Sequence, residues 1–305
     1  MKRTITSIVY LVVMVGFYVL KLAVNRLWFD VIIVLFSIGG TYEMCRAFGD
    51  KLTRLQKAIC MIFSTGTIVC YAVSDEIYAS LRLSDPLIVN YSPNLAFIVF
   101  IAGITLLISM IVLGYEKTSL ESLGAVFTAY LYPSVFMLVL SGVNHMPQYS
   151  EIGIMFVFVL GHCADCMAYV FGGLFKKKLP AKLAPKISPN KTLIGGFGGL
   201  IGGIMGAIAI YFLYYAWIEP CFLNVGAVYA FEWQNFVFFL ALGVLTAVFS
   251  QFGDLVESGI KRKFGIKDMG KILPGHGGIL DRTDSVMFSG LIVCFVIVMR
   301  IMIVG

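Results

Sequence analysis

Residues 234–304 read QNFVFFLALGVLTAVFSQFGDLVESGIKRKFGIKDMGKILPGHGGILDRTDSVMFSGLIVCFVIVMRIMIV. Two unbroken apolar runs, 234–253 and 285–304, are each about the length that crosses a bilayer as a helix. Between them lies one polar island, Gly253–Ser285, with acids, a run of Lys and Arg, and a Pro-Gly-His-Gly-Gly turn. Such a mixture builds no hydrophobic core, because unpaired charges are costly to bury. The pattern predicts helices held in lipid that carry a charged segment at the membrane surface.

The rest of the chain repeats the pattern. Seven more apolar runs stand at about 5–23, 28–48, 57–73, 95–114, 121–144, 151–172 and 196–218. The chain of 305 residues is 59% hydrophobic and 13% charged, with a mean hydropathy of +0.92, which is far too apolar for a soluble domain. The runs do not alternate, so helices rather than barrel strands are expected. The expected fold is all-α: a polytopic integral membrane protein of about nine transmembrane helices. It forms one membrane domain, with N-terminal helices in 1–144 and the chemistry in 145–305.

Lys2 and Arg3 ahead of an apolar run resemble a secretory signal, but no small-residue cleavage site follows, so the run reads as a retained helix. With the N-terminus cytoplasmic and the C-terminus outside, all but four of the 23 Lys and Arg lie in cytoplasmic segments. The exceptions are Lys21, Arg26, Arg82 and Arg300. That bias follows the positive-inside rule and demands an odd number of spans. The stretches 74–94 and 219–233 then read as outward turns.

The net charge of +6 does not point to nucleic acid, since the cations flank membrane segments where lipid headgroups and nucleotide phosphates are nearer partners. The 7 Cys are odd in number and sit mostly in apolar runs, which argues for buried thiols rather than a disulfide framework. Cys163 and Cys166 form a CxxC, but no second Cys or His pair stands at zinc-site distance. Glycines at 195, 199 and 203, and again at 198, 202 and 206, make a smooth helical face. Packing within the chain is the plainer reading of that face and a homodimer contact the alternative.

In the polar island, Asp254, Glu257, Asp281 and Asp284 suit a hard divalent cation, which takes one or two carboxylates and leaves its other positions to water and phosphate oxygens. Lys261, Arg262, Lys267 and Arg282 suit phosphate. Gly275, Gly277 and Gly278 let backbone N–H groups approach a ligand. Together they suggest a metal-assisted site that handles phosphates. Asp165 lies inside an apolar run, where an acid costs about 3 kcal/mol to insert, and so expensive a residue is normally functional. Lys191 and Thr192 precede a glycine-rich helix start able to bind phosphate, but on the residues alone a basic loop lying on anionic lipid is the plainer reading.

From Ser258 to Asp284 the chain resembles the signature of the phosphatidate cytidylyltransferases, integral membrane enzymes that join CTP to phosphatidic acid. The matching positions are Ser258, Ile260, Lys261, Arg262, Lys267, Asp268, Gly270, Leu273, Pro274, His276, Gly277, Gly278, Asp281, Arg282 and Asp284. The family's Asp-x-x-Ala-Tyr-x-x-Gly is similar to Asp165, Ala168, Tyr169 and Gly172. Its Ser-Pro-x-Lys-Thr-x-Glu-Gly is similar to Ser188, Pro189, Lys191, Thr192 and Gly195, with Ile194 in place of the usual Glu. The resemblance implies Asp254 and Asp281 as ligands of Mg2+, with a second cation an option, and Asp284 and Glu257 as their neighbours. It implies Lys261, Arg262 and Arg282 around the phosphates and His276 orienting a phosphate or an aspartate. Ser188, Lys191, Thr192, Lys267, Gly277, Gly278 and Asp165 would line the nucleotide and lipid site.

The implied activity is CMP transfer to phosphatidic acid at the cytoplasmic face of the cell membrane. The alternatives are a CTP-dependent enzyme acting on an ether lipid or polyprenol and, from another class, an anion transporter. A transporter would show internal repeats with a site near the midplane, whereas the charge here sits in loops on one side.

Overall fold

The computed structural model describes residues 2–82, 90–113, 119–175, 180–222, 232–273 and 277–304. Each of the predicted apolar runs is helical: α1 Lys2–Ala23, α2 Leu27–Ala47, α3 Arg54–Arg82, α4 Ser92–Leu113, α5 Leu120–Asn144, α6 Ser150–Phe175, α7 Leu193–Cys221, α8 Trp233–Lys263 and α9 Leu280–Val304. Among the described residues, 8 helices are long and apolar enough to cross a membrane, and α1 contributes a shorter apolar stretch, Ile8–Ala23. Ile62, Phe97, Phe197 and Phe295 are among many large apolar side chains left exposed, as a lipid-facing surface requires.

Three features depart from expectation. α3 runs on to Arg82 and α7 to Cys221, so residues 74–82 and 219–221 are helix and not outward turns. α8 continues to Lys263, which puts Asp254, Glu257, Ser258, Lys261 and Arg262 on a helix rather than in a loop. Where a loop was expected after α6, the chain forms an antiparallel hairpin, β1 Lys182–Ala184 with β2 Ser188–Thr192, in the register Lys182 to Thr192 and Ala184 to Ser188.

The chain forms two compact units, one of Met1–His145 with Asp268–Arg282 and the other of Met146–Lys267 with Thr283–Gly305. In the first, α2, α3 and α5 pack on one another, α4 packs on α3 and α1 on α2. Phe29, Ile33, Met44, Ile68, Tyr130, Met137 and Leu140 are buried at the contacts. A polar knot ties the same helices together. Asn144 donates to Asp30 (2.9 Å), Ser141 to Asp30 (2.7 Å), and the two His145 ring nitrogens reach Asp30 (2.7 Å) and Asp75 (2.8 Å). Buried polar groups need such partners.

In the second unit, α6 and α7 pack along most of their length and α8 packs on α7. Glycine makes this closeness achievable. A Cβ on Gly202 would stand 2.5 Å from the Cys163 carbonyl oxygen, and one on Gly203 would stand 2.8 Å from that of Gly243. Gly198 and Gly206 press likewise on α6, and Gly199 on Gln251 of α8. Both glycine faces of α7 are therefore taken up inside the unit, the plainer of the two readings of that stripe.

Candidate active site

All elements of the site described here belong to the second unit. α6 carries a π-helical turn at Phe156–Leu160, whose extra residue shifts the helix phase just before Gly161 and Asp165. The β hairpin then returns the chain to the start of α7. There Thr192 is the N-cap, its hydroxyl accepting from the Gly195 N–H at 3.1 Å. That cap leaves Lys191 beside α8, where its ammonium pairs with the Asp254 carboxylate. The Ser258 hydroxyl donates to the other Asp254 oxygen at 3.3 Å, one helical turn on.

Asp165 and Asp284 stand close enough to Asp254 for the three carboxylates to repel one another. Ser285 bridges two of them, its hydroxyl donating to Asp165 (3.4 Å) and its N–H to Asp284 (2.7 Å). These gathered acids, answered by Lys191 and, at Asp284, by Lys261, favour an incoming cation. Among the described residues, no three His, Cys, Asp or Glu side chains converge into a ready-made metal cage. That donor set fits Mg2+, which keeps few protein carboxylates and completes its shell with water and phosphate.

Of these groups, Asp165, Lys191, Thr192 and Asp254 face a cavity of about 810 Å³, within the range of small-molecule sites. One part of its lining is polar, with Asp165, Asn190, Lys191, Thr192, Gln251 and Asp254. Another part is apolar, with Tyr169, Val170, Leu174 and Leu183. A charged phosphate compound with a greasy body fits such a lining. Tyr169 is 83% exposed.

The other candidates have varied settings. Lys261 donates to Glu257 at 3.1 Å, a turn apart on α8. Arg262 turns to backbone, its guanidinium donating to the Ile187 and Ile266 carbonyls at 3.3 and 3.2 Å, and so it fastens the hairpin to the end of α8. Ser188 opens β2 opposite Ala184, and Lys267 is exposed. Cys163 and Cys166 are free thiols.

Asp281, Arg282, Gly277 and Gly278 belong to the first unit, and His276 lies outside the described residues. Gly277 adopts φ +87°, which only glycine takes easily. Its carbonyl accepts from the Leu273 N–H (3.0 Å), closing the turn. Asp281 Oδ2 accepts from the N–H groups of Met269 (2.9 Å) and Gly278 (2.7 Å). Arg282 is exposed on the first turn of α9.

Sequence reasoning missed Asn190 and Gln251, which line the cavity. Gln251 donates to the Gly196 and Ala247 carbonyls at 3.3 and 3.2 Å. A glutamine opposite a glycine start carries no motif, so nothing in the sequence singled it out.

Membrane-crossing helices around a cavity that joins polar to apolar lining define a multi-pass membrane protein with a built polar site. Residues 1–300 match the sequence model of the cytidylyltransferase family, and the chain belongs to that family. It is similar to the phosphatidate cytidylyltransferases of Staphylococcus epidermidis and Staphylococcus haemolyticus, each 38% identical over 185 residues. That of Staphylococcus aureus is 37% identical over the same length. The aligned stretch spans 59% of this chain and 63% of these relatives.

Proposed function

We propose that the chain is a phosphatidate cytidylyltransferase that makes CDP-diacylglycerol and pyrophosphate from CTP and phosphatidic acid at the cytoplasmic face of the cell membrane. The observation that carries this reading is the Lys191–Asp254 pair beside the Thr192-capped start of α7, in a cavity that joins charged and apolar lining. Family membership and the named relatives support the substrates. The loading of Lys and Arg onto one set of loops supports the cytoplasmic side.

The chemistry follows from charge. A phosphate monoester loses its second proton near pH ~6, so at neutral pH the phosphatidate oxygen is already a nucleophile and no strong base is needed. It attacks the α-phosphorus of CTP, a new P–O bond forms, the α–β bridge breaks, and pyrophosphate departs with the electron pair. Catalysis is then positioning and screening. Lys191 and the α7 N-terminus offer an ammonium and free N–H groups to phosphate oxygens. Tyr169, Val170 and Leu174 offer apolar contact to the lipid body. Asp254 and Asp281 are the candidates, taken from the sequence, for ligands of Mg2+, which when bound neutralises phosphate charge.

Purified protein given radiolabelled CTP, Mg2+ and phosphatidate should yield a lipid-soluble cytidine product and pyrophosphate. Product with only an ether lipid or a polyprenol would reassign the substrate, and no lipid product with any acceptor would refute the transferase reading. Asp254→Asn and Asp281→Asn should each abolish turnover in folded protein; activity retained in either removes that residue from the ligand set.

A further inference from the structure

The first unit holds a buried acid that no motif marks. Glu43, near the end of α2, is fully buried, and its carboxylate spans the start of α9. Oε1 accepts from the Ile279 N–H at 3.0 Å and Oε2 from the Leu280 N–H at 2.9 Å. Those N–H groups have no partner within the helix, and a carboxylate at a helix N-terminus is favoured by the dipole.

Two signature glycines make room for it. A Cβ on Gly270 would fall 2.0 Å from Glu43 Oε1, and one on Gly278 would fall 2.3 Å from Oε2. Neither glycine has a positive φ, so space rather than backbone conformation excludes a side chain there. Gly278 is also the donor, at 2.7 Å, to Asp281 Oδ2. One glycine thus has Glu43 in its side-chain space and Asp281 on its N–H.

We propose that Glu43 is a positioning residue for the signature turn. By gripping the N–H groups of Ile279 and Leu280 it sets where the Asp281 carboxylate and the Arg282 side chain stand, and Gly270 and Gly278 are glycine because Glu43 occupies their side-chain space. The proposal rests on the reading of Asp281 as part of the cytidylyl-transfer site.

The test uses the full chain in detergent with Glu43→Gln, Glu43→Ala, Gly270→Ala and the double variant Glu43→Ala/Gly270→Ala. Each is assayed well below its melting temperature. Glu43→Gln keeps the size but replaces one accepting oxygen by a donor. It should lower kcat tenfold or more and raise the half-saturating Mg2+ concentration severalfold. Gly270→Ala alone should do the same, and in the Glu43→Ala background it should cost nothing further, because the space is vacated. The proposal is overturned if rates fall only with the folded fraction at unchanged Mg2+ dependence. It is equally overturned if Gly270→Ala costs as much with Glu43 absent as with it present. Should the wild-type chain make no cytidine lipid, the functional reading fails by itself. The grip is then read by hydrogen exchange, where Glu43→Gln must lose protection at residues 278–282 and unchanged protection sinks it.

Discussion

Lys191 is held by its partner and its place in the chain: β2 delivers it, Thr192 caps the next helix, and Asp254 takes its ammonium. Removing one preorganised charged donor from a reaction of anions typically costs 10²- to 10³-fold in rate. Lys191→Met should therefore lower kcat/KM for CTP by about 10²-fold at unchanged fold, and Lys191→Arg should recover part of the loss by keeping the charge. Initial rates with labelled CTP decide it, and a Lys191→Met enzyme within a few-fold of wild type would take the lysine out of the site. Lys191, Asp254 and Asp165 were legible in the sequence, because an acid in an apolar run and a Lys-Thr before glycines each imply their cost or their chemistry. Arg262 was legible only as a cation. Its turn toward the Ile187 carbonyl depends on a hairpin whose strands, 3 and 5 residues long with a proline, have no periodic signal. Glu43 was overlooked although the cost argument that singled out Asp165 applies equally to it.

At the scale of elements, the His145 knot joins α2, α3 and α5. Burial alone would make the imidazole harder to charge, but its hydrogen bonds to the Asp30 and Asp75 carboxylates outweigh burial and raise its pKa above the usual value. Arg26, paired with Asp75 (3.3 Å) and Glu76 (3.0 Å), opposes the charge from the turn before α2, and Tyr71 of α3 meets the ring edge-on. A pKa raised by folding contributes stability that is complete below the unfolded value of about 6.5 and fades as pH rises through the folded value. Charged hydrogen bonds of this kind contribute about 1.5–3 kcal/mol. Wild type should thus melt several degrees above His145→Gln at pH 6, with the gap narrowing toward pH 9. Melting curves of the two proteins across that range test it, and a gap that stays constant or widens with pH would refute it. The same knot explains why α3 outran its apolar run. Ser74, Asp75 and Glu76 look like the start of a loop, yet Ser74 donates back to the Cys70 carbonyl, Asn25 donates to Glu76 and Asn90 and Ser92 donate to Asp75, so these polar groups are satisfied within a helix that runs on to Arg82. Helix existence follows from apolar length alone, whereas helix ends follow from tertiary partners.

For the molecule as a whole, the distribution of charge makes the strongest claim about orientation. The positive-inside bias of the sequence assigns Arg26, Arg82 and Arg300 to the side poor in cations; in the structure Arg26 is met by Asp75 and Glu76, and Arg300 by the Tyr149 hydroxyl (3.0 Å), the Asn235 amide oxygen (2.6 Å) and the Phe238 ring face (4.1 Å). The same bias assigns Lys182, Lys186, Lys263, Lys267 and Lys271 to the opposite side. Cations left near the membrane on the translocated side oppose insertion, so those that occur there are expected to be few and tied down. Three spans, α7 to α9, separate the hairpin from residue 304, so the two emerge on opposite sides whether or not α1 spans; if α1 does not span, the N-terminus lies on the cation-poor side. Single cysteines introduced at Lys186 and Lys267 in a cysteine-free background should therefore resist a membrane-impermeant maleimide in intact cells and react after permeabilisation. A cysteine at Gly305 should react in both. Labelling of Lys186→Cys in intact cells would invert the assignment and put the Lys191–Asp254 cavity out of reach of cytoplasmic CTP, so this experiment bears on the chemistry as well as on the topology.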